Sequence, residues 1–239
     1  MQGKQVLITV TKPVTVLLQA LLDFVYPPYC IRCQSLLERE ERLLCKACWN
    51  SLPKLDETSN LIDDLQTKLP GEIFFSQAIA IWQYSPDVQT VIHRLKYGNF
   101  KFLAKRISSY MAERLKQLHP TPDQTLLIPV PLHKTRKRER GYNQSALICR
   151  AVAAETGLPF SDQVLKRIRY TRSQTTLSAS ERLKNVHKAF KVVSQTPIQN
   201  KNVILIDDVI TTGATMNECA RELIACGAKE IIICAIARA

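Results

Sequence analysis

Two adjacent carboxylates, Asp207 and Asp208, end an apolar run from Val203 to Ile206, and Thr211, Thr212, Gly213, Ala214 and Thr215 follow them. Side by side, ionised carboxylates accept hydrogen bonds from vicinal hydroxyls or hold Mg²⁺. Threonine hydroxyls and backbone N–H groups around a glycine, at the start of a helix, form an anion site suited to a phosphate. The stretch VILIDDVITTGAT therefore reads as a holder for a phosphorylated sugar. The plainer alternative is that Asp and Thr merely cap a strand and a helix. A triphosphatase would need a GxxxxGK[ST] loop, and none of the seven glycines precedes a lysine in that pattern; GxGxxG is absent too.

A second chemical cluster lies near the start of the chain. Cys30-x2-Cys33 and Cys45-x2-Cys48, eleven residues apart, have the spacing of two knuckles that give one Zn²⁺ tetrahedral sulfur ligation. So short a segment has too small an apolar core to fold alone, and a structural metal supplies the missing stability. Two disulfides are the competing reading, disfavoured in a reducing cytoplasm. Cys149, Cys219, Cys226 and Cys234 fall in apolar patterns and read as small buried hydrophobes.

Charge is the third signal. Val91 to Lys191 carries 21 Lys and Arg against 6 Asp and Glu, a local +15 in a chain of formal charge +12, so the remainder is −3. Such a field attracts pyrophosphate at short range and nucleic acid over a longer surface. Its densest part is one loop, Pro129 to Gln144, with Lys134, Arg136, Lys137, Arg138 and Arg140. Guanidinium forks grip phosphate oxygens bidentately, so this loop suits a diphosphate, although a solvent-facing loop or a nucleic-acid contact would have the same composition. His133 reads as a loop hydrogen-bonder.

These residues need a frame. Strand-like runs at Ile73–Tyr84, Leu126–Val130, Val164–Ile168, Phe190–Val193, Val203–Ile206 and Glu230–Ala235 alternate with helical periodicity at Asp87–Lys96, Phe102–Leu118, Asn143–Glu155 and Met216–Cys226. Alternation of this kind predicts an α/β fold with a doubly wound, mainly parallel sheet. Residues 1–55 are expected to form an N-terminal amphipathic helix and the four-cysteine zinc module, 56–72 a linker or wrapping segment, and 73–239 the main domain. Val14 to Val25 is apolar but interrupted by Gln19 and Asp23, and too short to span a bilayer. Cytoplasmic residence is the expectation, with weak membrane-surface contact left open.

The segment VILIDDVITTGAT resembles the phosphoribosyl pyrophosphate (PRPP) loop of type I phosphoribosyltransferases. By that resemblance Asp207 and Asp208 take the ribose hydroxyls, Thr211 to Thr215 take the 5-phosphate, and Lys134, Arg136, Arg138 and Arg140 serve the diphosphate with Mg²⁺. The polar stretch Arg169 to Phe190 is similar to the loop that closes over PRPP in this fold, with Arg172, Gln174, Leu177, Arg182 and Asn185 at matching positions. Catalysis is thereby assigned to Asp207, Asp208, Arg138 and Arg182. Read in order, the knuckles, VIHRLKYGN, PVPLHKTRKRERGYNQ, SQTTLSASERLKNVHKAF and VILIDDVITTGAT resemble the ComF (ComFC, GntX) family of competence-associated phosphoribosyltransferase-like proteins.

That resemblance implies a PRPP-dependent pentosyl transferase acting with single-stranded DNA during natural transformation. A non-catalytic reading stands beside it: a zinc-dependent nucleic-acid-binding module or scaffold that uses PRPP as a regulatory ligand. In that module Tyr97, Tyr142 and Tyr170, set among cations, would suit the stacking of single-stranded bases; ordinary core or rim residues are the equal alternative for them. The scaffold version docks to a helicase-like competence partner through the knuckles and the Val14–Val25 helix.

Overall fold

Branched apolar runs become strands, and their pairing sets the site. In the computed structural model, which describes residues 27–56, 61–98, 100–170 and 185–239, β1 (Gln77–Gln83), β2 (Thr125–Pro129), β5 (Asn202–Ile210) and β6 (Glu230–Arg238) form one parallel sheet in the order β1-β6-β5-β2. β3 (Leu165–Arg167) and β4 (Phe190–Val192) instead pair with each other as a separate antiparallel ladder. This departs from the expectation of a place in the parallel sheet; each strand is only three residues long, and an antiparallel pair needs no crossover helix.

Helices cover the sheet. α3 (Pro86–Tyr97), α4 (Phe102–Lys116) and α6 (Gln144–Thr156) stand close to expectation, with Ser85 and Asn143 capping their helices and Gly157 closing α6 in the left-handed region. α4 packs on α6, and α6 on β2 and β5. α7 (Ala214–Ala225) packs on β5 and β6, and its Met216, Cys219 and Leu223 join Val203, Leu205 and Ile233 in one buried cluster. Cys149, Cys219 and Cys234 are fully buried, as small hydrophobes should be, whereas Cys226 is only partly covered.

Within 56–72, where the sequence suggests a linker, Leu61–Lys68 forms α2. Leu61, Leu65 and Leu69 recur at helical spacing and enter the same core, and Asp64 receives the guanidinium of Arg238. The segment is short and acidic, which hid its single apolar stripe. The expected basic loop is also partly helical: α5 spans Lys134–Arg140, with His133 Nδ1 accepting from Thr135 N at 3.3 Å and Gly141 closing it at φ +79°. Burial depresses the His133 pKa, aided by Lys134, Arg167 and Arg138, which keeps the accepting nitrogen unprotonated.

The chain divides into two compact units, 1–52 and 53–239. The described part of the first is built from the bridges Tyr29↔Leu36 and Arg42↔Leu44 and the short helix α1 (Lys46–Asn50) around Leu37, Leu44, Trp49 and Leu52. Val14–Val25, Arg172, Gln174, Leu177 and Arg182 lie outside the described residues.

Candidate functional site

Strand lengths open the site. β2 ends at Pro129, opposite Ile206, while β5 continues to Ile210 beside β6. After β2 the chain moves outward to Phe160, which bridges Leu127; after β5 it moves the other way, to β6. The β2–β5 boundary is therefore a topological switch point, where connections part and leave a crevice at the carboxyl ends of the strands. Asp207 and Asp208 occupy it. They lie within β5, one and two residues beyond the last β2 partner.

A cavity of about 540 Å³ fills the crevice. Asp207, Asp208, Thr211, Gly213, Ala214 and Thr215 line one side, and Lys96, Arg136, Arg140, Gln144 and Arg167 bring amide and cationic groups to it. Thr212 is buried, with its hydroxyl accepting from Ala214 N at 3.4 Å, so it caps α7 from within the loop. Gly213 has φ +78°, and a Cβ there would meet Leu65 Cδ2 and Leu69 Cδ1 at 3.3 Å. Glycine therefore meets two demands at once, a left-handed backbone and the close approach of α2.

The carboxylates are held from α6 and α3. Ser145 Oγ donates to Asp207 Oδ1 at 2.8 Å, and Gln144 Nε2 to Asp208 Oδ2 at 2.7 Å. Lys96 Nζ is 2.9 Å from the same Asp208 oxygen. Arg140 in turn donates to Gln144 Oε1 at 2.6 Å and to Tyr97 Oη at 3.1 Å, its guanidinium over the Tyr97 ring. Asp207 keeps part of its surface open to the cavity, yet its depth, and then the charge of Asp208, push its pKa up to about 7. At neutral pH the pair is thus poised to carry less than its full charge until a cationic or hydroxyl-bearing ligand arrives.

The cations of α5 separate. Arg136 and Arg140 line this cavity; Lys134 and Lys137 line a second one; Arg138 is exposed and lines neither. Asn185, from the expected closing loop, accepts from Arg169 through its carbonyl at 3.1 Å. Sequence reading assigned no role to Lys96, Gln144, Ser145 or Arg167. Gln144 and Ser145 follow the cap residue Asn143, a signal for a helix start that says nothing about what the first turn faces.

In the smaller unit, the Sγ atoms of Cys30, Cys33, Cys45 and Cys48 all lie within 4.8 Å of one another. Zinc–sulfur bonds of about 2.3 Å in a tetrahedron separate sulfurs by roughly 3.8 Å; Cys33 and Cys45 stand at 3.7 Å. The first pair flanks a tight turn closed by Gln34 N to Cys30 O at 2.9 Å, and the second opens α1, with Cys45 N donating to Cys30 Sγ at 3.4 Å. The donor set fits Zn²⁺.

Comparison with known proteins agrees with this anatomy. Residues 136–239 match the family model of the phosphoribosyl transferase domain, which defines the class of the larger unit, and residues 21–59 match the double zinc ribbon domain. Competence protein F of Haemophilus influenzae is 30% identical over 88% of this chain and 96% of its own length. DNA utilization protein YhgH of Escherichia coli strain K12 is 29% identical, covering 84% and 86%, and competence protein ComFC of Streptococcus pneumoniae is 28% identical, covering 82% and 88%. The chain belongs to the competence protein F (ComF) family.

Proposed function

We propose that this protein binds PRPP with Mg²⁺ in the switch-point cavity and transfers its phosphoribosyl group, acting in the cytoplasm on single-stranded DNA or its components. The observation that carries this reading is the meeting, in one cavity, of Asp207 and Asp208, the Thr211–Thr215 turn at the start of α7, and Arg136 and Arg140. Asp207 and Asp208 would hold the ribose hydroxyls, and Mg²⁺ bound beside them would supply positive charge to offset that of the diphosphate. Thr211, Thr215 and the N–H of Gly213 take the 5-phosphate at the positive end of α7. Arg136 and Arg140 face the diphosphate. The bond from C1 to the diphosphate oxygen breaks, with its electron pair leaving on the diphosphate, and the acceptor's lone pair forms the new bond to C1 while its proton passes to solvent. Guanidinium groups held before the reaction stabilise that departing charge without reorganising.

The names of the relatives, competence and DNA utilization, support a role with DNA, as does the local +15 charge. The test is calorimetric titration with PRPP and Mg²⁺. The wild type should bind, and the Asp207→Asn, Asp208→Asn double variant should not, with zinc content unchanged in both. Equal PRPP binding by the two proteins would refute the assignment. Pyrophosphate release measured against nucleobases, nucleotides and oligonucleotides tests the transfer step.

A further inference from the structure

A second cavity, of about 460 Å³, lies on the far side of α5. Its origin is visible in the backbone. Leu127 N donates to Pro159 O, and Ser161 N to Leu127 O, so the outer edge of β2 begins a ladder with the segment after α6. Alternation turns Pro129 and Pro131 toward that same outer edge, since Val130 N donates the other way, to Ile206 O. Proline has no N–H, the ladder stops, and the opening past it is the cavity. Pro129, Pro131 and Asp162 line it.

Its charge is one-sided. Lys134, Lys137, Lys166 and Arg167 line it against one carboxylate, Asp162. Lys134 and Lys137 are three apart on α5, whereas Arg136 and Arg140 are four apart and line the first cavity, so one helix supplies cations to two sites from two faces. Among the described residues, Lys134, Lys137 and Lys166 have no ion-pair partner. Pro131, Leu132 and Arg167 line both cavities, which makes them neighbours across a shared wall. The half-exposed Tyr170 ring stands edge-on, at 5.2 Å, to His133, which lines the cavity.

We propose that the second cavity binds a phosphate of the acceptor, so that the group receiving the ribose belongs to a nucleotide, free or within a strand. This rests on the PRPP reading of the first cavity. A bare base or a small amine would leave the three lysines without a partner; across the shared wall of Pro131, Leu132 and Arg167, a nucleotide would place its reactive atom in the first cavity and its phosphate among Lys134, Lys137 and Lys166. The phosphate chemistry is the same for a mononucleotide and a strand.

The test uses the full chain and a Lys134→Ala, Lys137→Ala, Lys166→Ala variant; all three lysines are exposed, and thermal unfolding checks that the variant folds. The probes are thymidine 5′-monophosphate, thymidine, and a labelled single-stranded dT oligomer, each with PRPP titrated separately. The variant should bind the phosphate-bearing probes at least about tenfold more weakly, and its salt slope for the oligomer should fall by about 2. PRPP affinity should stay within about twofold, since Arg136 and Arg140 remain. Loss for both nucleotidic probes identifies a mononucleotide-sized site, and loss for the oligomer alone identifies a strand. Unchanged binding of both, no binding of either to the wild type, or an equal loss of PRPP affinity would each overturn the proposal. PRPP titration of the wild type reads the first cavity by itself, so failure there is distinct.

Discussion

The ammonium of Lys96 lies 2.9 Å from Oδ2 of Asp208 and shares that oxygen with the Gln144 amide at 2.7 Å. Asp208 thus has a cation beside it before any ligand arrives, and the same Lys96 charge lowers the Asp207 pKa against the burial and the Asp208 charge that raise it. Lys96→Met removes the compensating charge and adds to the repulsion between neighbouring carboxylates. PRPP affinity at neutral pH should fall by about tenfold, near 1.4 kcal/mol, and the pH at which binding is half-developed should move upward. Lys96→Arg should restore most of both. An affinity loss with an unmoved pH profile would show that Lys96 acts by packing alone.

Asp207 also makes stability depend on pH. With its folded pKa near 7 and an unfolded value of about 4, the folded state holds the extra proton between those limits. Its contribution is complete below about pH 4, declines as pH rises, and becomes a constant penalty above about 7. Asp207→Asn should therefore raise the melting temperature at pH 8 and lose that advantage toward pH 5, while PRPP binding by the wild type strengthens through neutrality. Melting curves of the two proteins with the same offset at both pH values would rule this out.

Gly213→Ala tests the loop geometry. The left-handed φ costs a residue with Cβ about 1–2 kcal/mol, and the new methyl meets Leu65 and Leu69 at 3.3 Å. Denaturant unfolding should show a loss of that order or somewhat more, together with weakened binding of the 5-phosphate. Trimming the neighbour with Leu69→Ala should not rescue PRPP binding, because the backbone strain remains.

The sulfur cluster predicts one Zn²⁺ per chain, measurable by elemental analysis. Cys45→Ala removes a ligand while keeping the backbone N–H that donates to Cys30 Sγ. Zinc content should collapse and residues 27–52 should lose protection from proteolysis, while the sheet of the larger unit stays protected. Retention of stoichiometric zinc by this variant would contradict tetrahedral ligation by these cysteines.

Much of this was legible because it is written in periodicity and spacing. Strands such as Leu126–Val130 and Glu230–Ala235, the helices from Asp87 and Phe102, the cysteine pairs and the Asp207–Thr215 segment each announce themselves over a few residues. α5 did not: Lys134–Arg140 has no apolar residue to show a helical period, and the clues lay only at its ends, in the His133 cap and the left-handed Gly141. α2 was hidden by acidity around three leucines. Lys96, Gln144 and Ser145 reach the carboxylates across 112, 64 and 62 positions of sequence, in the last two cases through first-turn contacts that only the packing of α6 on β5 creates.

The unequal ends of β2 and β5 bear on how such a protein can change. Beyond Ile206, the β-ladder of β5 runs with β6 alone among the described residues, and the opposite edge faces the segment from Val130 to Ser145 through side chains. Substitutions in that segment can reshape what the cavity accepts without breaking a ladder hydrogen bond of the central strand. The fold and the shape of this cavity are in this way separately heritable.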